Sequence, residues 1–110
     1  MASKKKIVRY PPLPKHVPCP GGDVDIILVT PAQIAVFADP GEELFGVFVQ
    51  AERRIYIRKT MSREQQHRVA YHEIAHVAFE DSGIANGLDR VMEEAIADAF
   101  ASMMMRMRFG

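Results

Sequence analysis

The sequence predicts an α+β domain, with strands in its first half and helices in its second. Three observations carry this. Short β-branched runs punctuated by Pro, Gly and Asp lie between residues 24 and 59. From Ser62 onward the apolar residues recur at helical spacing. The chain has 110 residues, 48% hydrophobic and 25% charged, which suits one core and leaves little for a second module. Runs of strands followed by runs of helices read as α+β.

Residues 1–22 read as a flexible, basic, proline-rich arm, and residues 23–110 as a single domain. Pro11, Pro12, Pro14, Pro18 and Pro20 oppose helix and discourage sheet, and Gly21-Gly22 ends the stretch. His16 and Cys19 sit in the arm as ordinary loop residues. Val24 to Val29 is an apolar run short enough for a buried strand. Residues 31–38 fit a short helix or a strand equally well. Asp39-Pro40-Gly41 signals a turn. Phe45 to Gln50 and Ile55 to Lys59 read as two strands, the second with Ile55 and Ile57 alternating with Tyr56 and Arg58. The short link between them fits a hairpin.

Ser62-Arg63-Glu64-Gln65 fits a capping box, so a helix starts there. It ends near Asp81–Ser82, with Gly83 as its left-handed terminator. Asn86 or Asp89 can cap a second helix. Its expected buried stripe is Leu88, Met92, Ala95, Ile96, Ala99, Phe100, Met103 and Met107. The Met103-Met104-Met105 run is expected to divide between core and an adaptable surface, where a homodimer is one expectation.

The chemistry concentrates in His72-Glu73-Ile74-Ala75-His76. Four residues along a helix place the two histidines about 40° and 6 Å apart, on one face. Two imidazoles so placed reach one zinc ion at about 2.0–2.1 Å each. Glu73 lies beside them, where it can serve as a base for a water activated at the metal. Random placement of four histidines and eight glutamates in this chain gives about 0.01 such motifs. His67 is about 140° round the helix from His72 and is expected in solvent.

Catalytic zinc takes three protein ligands and keeps one position open. Glu80 continues the series but lies about 12 Å along the axis from His72, too far to share the ion. The returning helix does better. The chain rises about 9 Å from His76 to Ser82 and falls about 9 Å from Leu88 to Glu94, so Glu94 arrives level with His76. Glu93 is close in height but points about 100° away. Asp98, four residues beyond Glu94, favours Glu94, because it can hold a ligand histidine in orientation. The corresponding position for Glu93 is Ala97.

His72-Glu73-x-x-His76 followed by Glu94-x-x-x-Asp98 resembles the gluzincin arrangement. More closely, Arg68-Val69-Ala70-Tyr71-His72-Glu73-Ile74-Ala75-His76 with Glu94-x-x-Ala97-Asp98-x-Phe100-Ala101 is similar to the ImmA/IrrE-type zinc metallopeptidases and their compact phage relatives. The likeness spans about residues 44–105. It implies a minimal zincin-like fold, with a small twisted sheet beside an active-site helix and a returning glutamate helix. It implies one zinc ion per chain, held by His72, His76 and Glu94, with Glu73 as general base in peptide hydrolysis. Asp98 stands where many members of that group carry Asn. An alternative expectation is a zincin-fold regulatory protein that keeps the metal and cleaves little. A purely structural zinc is a third. An intact Glu73 favours the peptidase, since neither rival needs a base at the metal.

The rest of the composition sets limits. No apolar run approaches the ~18 residues of a membrane span, and no apolar segment follows the first lysines as in a secretory signal. With one cysteine there is no internal disulfide, which suits a reducing, cytoplasmic setting. Net charge is zero but uneven. Lys4, Lys5, Lys6, Arg9 and Lys15 make the first 20 residues basic, while the remainder holds nine basic and fourteen acidic side chains. A mildly acidic body argues against nucleic acid. The expected partner is a peptide or protein substrate. Tyr10, Tyr56 and Tyr71 are candidates for stabilising an oxyanion, although Tyr71, next to His72, should point away from the metal.

Overall fold

The computed structural model describes residues 8–110. Four strands, β1 (His16–Val17), β2 (Val24–Val29), β3 (Gly46–Val49) and β4 (Arg54–Arg58), form one mixed sheet in the order β1-β2-β4-β3. β2 and β4 run parallel, with Ile26 opposite Ile55 and Leu28 opposite Ile57. β3 and β4 form the antiparallel hairpin, with Phe48 opposite Ile55. β3 forms one edge of the sheet and the two-residue β1 the other.

Residues 31–38 resolve as helix: α1 (Pro31–Ile34) followed by a 3₁₀ turn over Ala35–Phe37. A complete capping box decides it, with Thr30 Oγ1 accepting from Gln33 N and Gln33 Oε1 accepting from Thr30 N. The hairpin link is a 3₁₀ turn over Gln50–Glu52 that ends in Arg53 at φ 52°. A left-handed arginine is costly, and its side chain anchors it. The guanidinium donates twice to the Asp81 carboxylate, at 2.7 and 3.1 Å, and once to Gly22 O at 2.6 Å.

Two 20-residue helices complete the domain. α2 (Arg63–Ser82) is capped by Ser62, whose side chain accepts from Gln65 N, and ends at Gly83 with φ 78°. α3 (Arg90–Phe109) is capped by Asp89 rather than Asn86. α2 lies between the sheet and α3. Its Ala70 and Val77 join Val24, Ile26, Ile55 and Ile57 in the core cluster. Its opposite side, with Ala75, faces α3.

Three expectations are corrected. First, the described part of the arm is packed along the domain. His16–Val17 pairs with Val24–Asp25, Leu13, Val17 and Cys19 pack on the core, and Gly21 N donates to Asp81. The prolines flank the two-residue β1 rather than lying in it, so none removes one of its ladder hydrogen bonds. Lys4, Lys5 and Lys6 lie outside the described residues. Second, His67 is 2% exposed. Its Nε2 is 2.6 Å from Pro11 O, and the rings of Tyr10 and Phe109 cover it. Third, α3 buries Ala97, Ala101 and Met105, while Met92, Ile96, Met103 and Met107 are 41–73% exposed. Small residues let the two helix backbones approach closely, which side chains the size of Met would prevent. No helix among the described residues is long and apolar enough to cross a membrane.

Candidate metal centre

α2 presents His72 and His76 towards α3, and α3 returns Glu94 to the same height. The ligand atoms of these three residues all lie within 4.8 Å of one another. His72 Nε2 is 3.0 Å from Glu94 Oε2, His76 Nε2 is 3.0 Å from Glu94 Oε1, and the two Nε2 atoms are 3.1 Å apart. Ligand atoms held 2.0–2.1 Å from a tetrahedral zinc are about 3.3 Å apart, so the spacing fits that ion.

The outer nitrogens sharpen this. His72 Nδ1 is 2.7 Å from Asp98 Oδ1, and His76 Nδ1 is 2.8 Å from Glu93 Oε1. In a neutral imidazole, the nitrogen that carries the proton donates and the other has only a lone pair. A proton on His76 Nδ1 donates to Glu93 and one on His72 Nδ1 lies beside Asp98; that pair of tautomers leaves both Nε2 atoms as acceptors. Three acceptor groups, the two nitrogens and the Glu94 carboxylate, then converge with no proton between them. A cation satisfies all three, and His/His/Glu with an open position is a set that zinc takes.

Glu93 is the residue that the sequence argument misplaced. It lies outside the His72, His76 and Glu94 group and sits behind His76, as Asp98 sits behind His72. The signal was present: residues adjacent on a helix sit about 100° apart, and the two histidine rings need support from two different directions.

Glu73 is 9% exposed, on the side of α2 that meets β3. Burial pushes its carboxyl above the usual range, while the His76 and His72 imidazoles pull it the other way. Gly46 makes its position on β3 possible. A Cβ there would lie 2.4 Å from Val69 Cγ1 and 3.3 Å from Glu73 Cγ. A glycine inside a strand marks such close approaches, and this one went unread in the sequence.

Two open hollows, about 660 and 360 Å³, share Glu42, Leu44, Gly46, Glu73, Arg90 and Glu94. Together they make one groove that runs past the site beside β3. None of the three tyrosines lines it. Tyr10 packs edge-on against Phe109, Tyr56 bonds Glu52 and stacks on Phe37, and Tyr71 accepts from Arg108 while facing Phe100. Cys19 packs against the core, where burial raises its thiol and keeps it protonated.

No curated protein and no solved structure shows significant similarity to the chain. One family model matches residues 31–109, from the start of α1 to the end of α3, and it describes the IrrE N-terminal-like domain of the M78 peptidases. That match takes in β3, β4 and both long helices, with all six residues of the site, so the chain belongs to the IrrE N-terminal-like peptidase family.

Proposed function

We propose that the protein is a zinc-dependent peptidase of the gluzincin type, with His72, His76 and Glu94 as metal ligands and Glu73 as general base. The observation that carries this reading is the convergence of His72, His76 and Glu94, whose ligand atoms all lie within 4.8 Å of one another, next to a buried carboxylate. Asp98 and Glu93 hold the two imidazoles in the tautomer that offers Nε2.

A bound zinc ion supplies Lewis-acid polarisation and lowers the pKa of water towards ~7. Glu73 takes a proton from the attacking water and returns it to the leaving amine. Its carboxyl is buried beside the two imidazoles, where it can accept that proton and give it up again. The free edge of β3 offers backbone groups to an extended substrate, which would add to the sheet as a further strand beside Gly46–Val49.

Metal analysis and a peptide-cleavage assay on wild type and Glu73→Gln test the reading together. It requires one zinc per chain in both proteins. It also requires turnover in the wild type that falls by about 10²- to 10⁴-fold in the variant. Full zinc occupancy without Glu73-dependent turnover would support a metal-binding regulatory protein instead. Absence of metal from both proteins would remove the site altogether.

A further inference from the structure

The groove is polarised along its length. One end is lined by three acids that the other lacks, Asp39, Glu80 and Glu93. The other end is lined by Arg68, Val69, Ala101 and Ser102, and its one acid of its own, Asp98, is paired with His72 at 2.7 Å. Arg68 lies one turn before His72 on α2, so it is about 6 Å along the helix from the metal pair and on the same face.

Arg68 has no acid to satisfy it. Its one side-chain hydrogen bond among the described residues goes from Nη1 to Ser102 Oγ, at 3.3 Å. Arg90, the other arginine of the groove, has Glu42 at 3.9 Å. The Ser102 hydroxyl accepts from Arg68, which leaves its own proton for an incoming oxygen. A planar fork of donors next to a free hydroxyl matches a carboxylate.

We propose that Arg68 and Ser102 form the specificity site for a substrate carboxylate, at the end of the groove away from Asp39 and Glu80. This rests on the peptidase reading. The carboxylate comes from an Asp or Glu side chain or from the substrate's own C-terminus. Both carry the same charge and the same two acceptor oxygens. The acidic far end repels a carboxylate placed there, so the groove also sets the direction in which a substrate lies.

The test uses zinc-loaded full-length protein and matched peptide pairs, Asp against Asn and Glu against Gln, each with free or amidated C-termini. The first comparison reads a side-chain carboxylate and the second a terminal one. Wild type is expected to favour one carboxylate source by about 10- to 100-fold in kcat/KM, the range for a charge-assisted pair. Arg68→Ala should remove that preference through KM, with kcat for the acidic peptide changing less than about threefold. Arg68→Glu should reverse the preference towards Lys at the same position. A preference that survives both substitutions, or its absence in an active wild type, overturns the carboxylate site and leaves the peptidase standing. Equilibrium binding of the same peptides to Glu73→Gln separates the two readings. Arg68-dependent binding of acidic peptides to Glu73→Gln, when zinc-loaded wild type cleaves none of them, supports the site and sinks the peptidase. If no peptide is cleaved or bound, both fall.

Discussion

Glu93 hydrogen-bonds His76 and Asp98 pairs with His72 at 2.7 Å, yet their surroundings predict unequal effects. The Glu93 side chain is 20% exposed and that of Asp98 is 75% exposed. A carboxylate that orients a ligand histidine is worth about 10- to 100-fold in metal affinity. Glu93 is enclosed enough to approach that range. Asp98 is screened by solvent, and exposed pairs contribute about 0.2–1 kcal/mol, or no more than roughly fivefold. The assay is the rise in melting temperature on adding zinc, measured against each protein in chelator. At fixed zinc well above Kd, a 10- to 100-fold weaker site loses about 1.4–2.8 kcal/mol of stabilisation. An unfolding entropy of ~2.1 cal/mol/K per residue makes that about 6–12 °C for a chain of this length. Glu93→Ala should therefore cut the zinc-induced rise by about 6–12 °C and Asp98→Ala by about 4 °C or less. Referring each variant to its own chelated form removes any direct effect on the fold. Equal losses, or a larger loss for Asp98→Ala, would refute the argument from exposure. A wild type whose melting point ignores zinc would refute the ligand set itself.

The remaining predictions probe the scaffold. Gly46→Ala forces Val69 and Glu73 aside, given the 2.4 and 3.3 Å approaches of the added Cβ. It should lower kcat by about 10- to 100-fold while zinc content stays at wild-type level, as metal analysis beside kinetics would show. Ala97 is fully buried on α3, so Ala97→Leu should cost about 1–3 kcal/mol in denaturant unfolding and also weaken zinc, because it pushes Glu94 away from α2. Asp81 is held below the usual carboxylate range by the Arg53 guanidinium and then by Gly21 N–H. A depressed folded pKa gives stability that is present above the unfolded value, near ~3.9, and is lost as pH falls through the folded value. The stability gap between wild type and Asp81→Asn should thus be widest near neutral pH and close below about pH 4, as urea midpoints across pH would read.

Much of this was legible because single residues carry it. Ser62, Gly83 and Asp89 fix both long helices through local hydrogen bonding or a left-handed backbone, which depends little on the rest of the fold. Ile55 and Ile57 alternate because β4 is covered on one face. The histidine pair follows from helix geometry alone. Features that depend on distant chain were hidden. His67 is buried only because Tyr10 and Phe109, 57 and 42 positions away, close over it. Arg53 adopts its left-handed backbone only because Asp81 and Gly22 are there to meet its side chain.

The buried face of α3 is a different case, because the sequence contained the means to find it. A stripe centred on Ala99 and the ligand role of Glu94 exclude each other. Five residues separate them, which is about 140° round the helix. If Met92, Ile96, Met103 and Met107 faced α2, Glu94 would face solvent and no third ligand would reach the histidines. Starting instead from Glu94 as the residue that must face α2, the positions three and seven further on, Ala97 and Ala101, fall on that side. The structure buries both, and beyond them Met105, eleven positions after Glu94 and farther from the site. Hydrophobicity pointed to the larger side chains, but bringing two helices within reach of one ion demands small ones. The chemistry of the site decides the packing of this helix, and the exposed methionines are what that choice leaves on the outside.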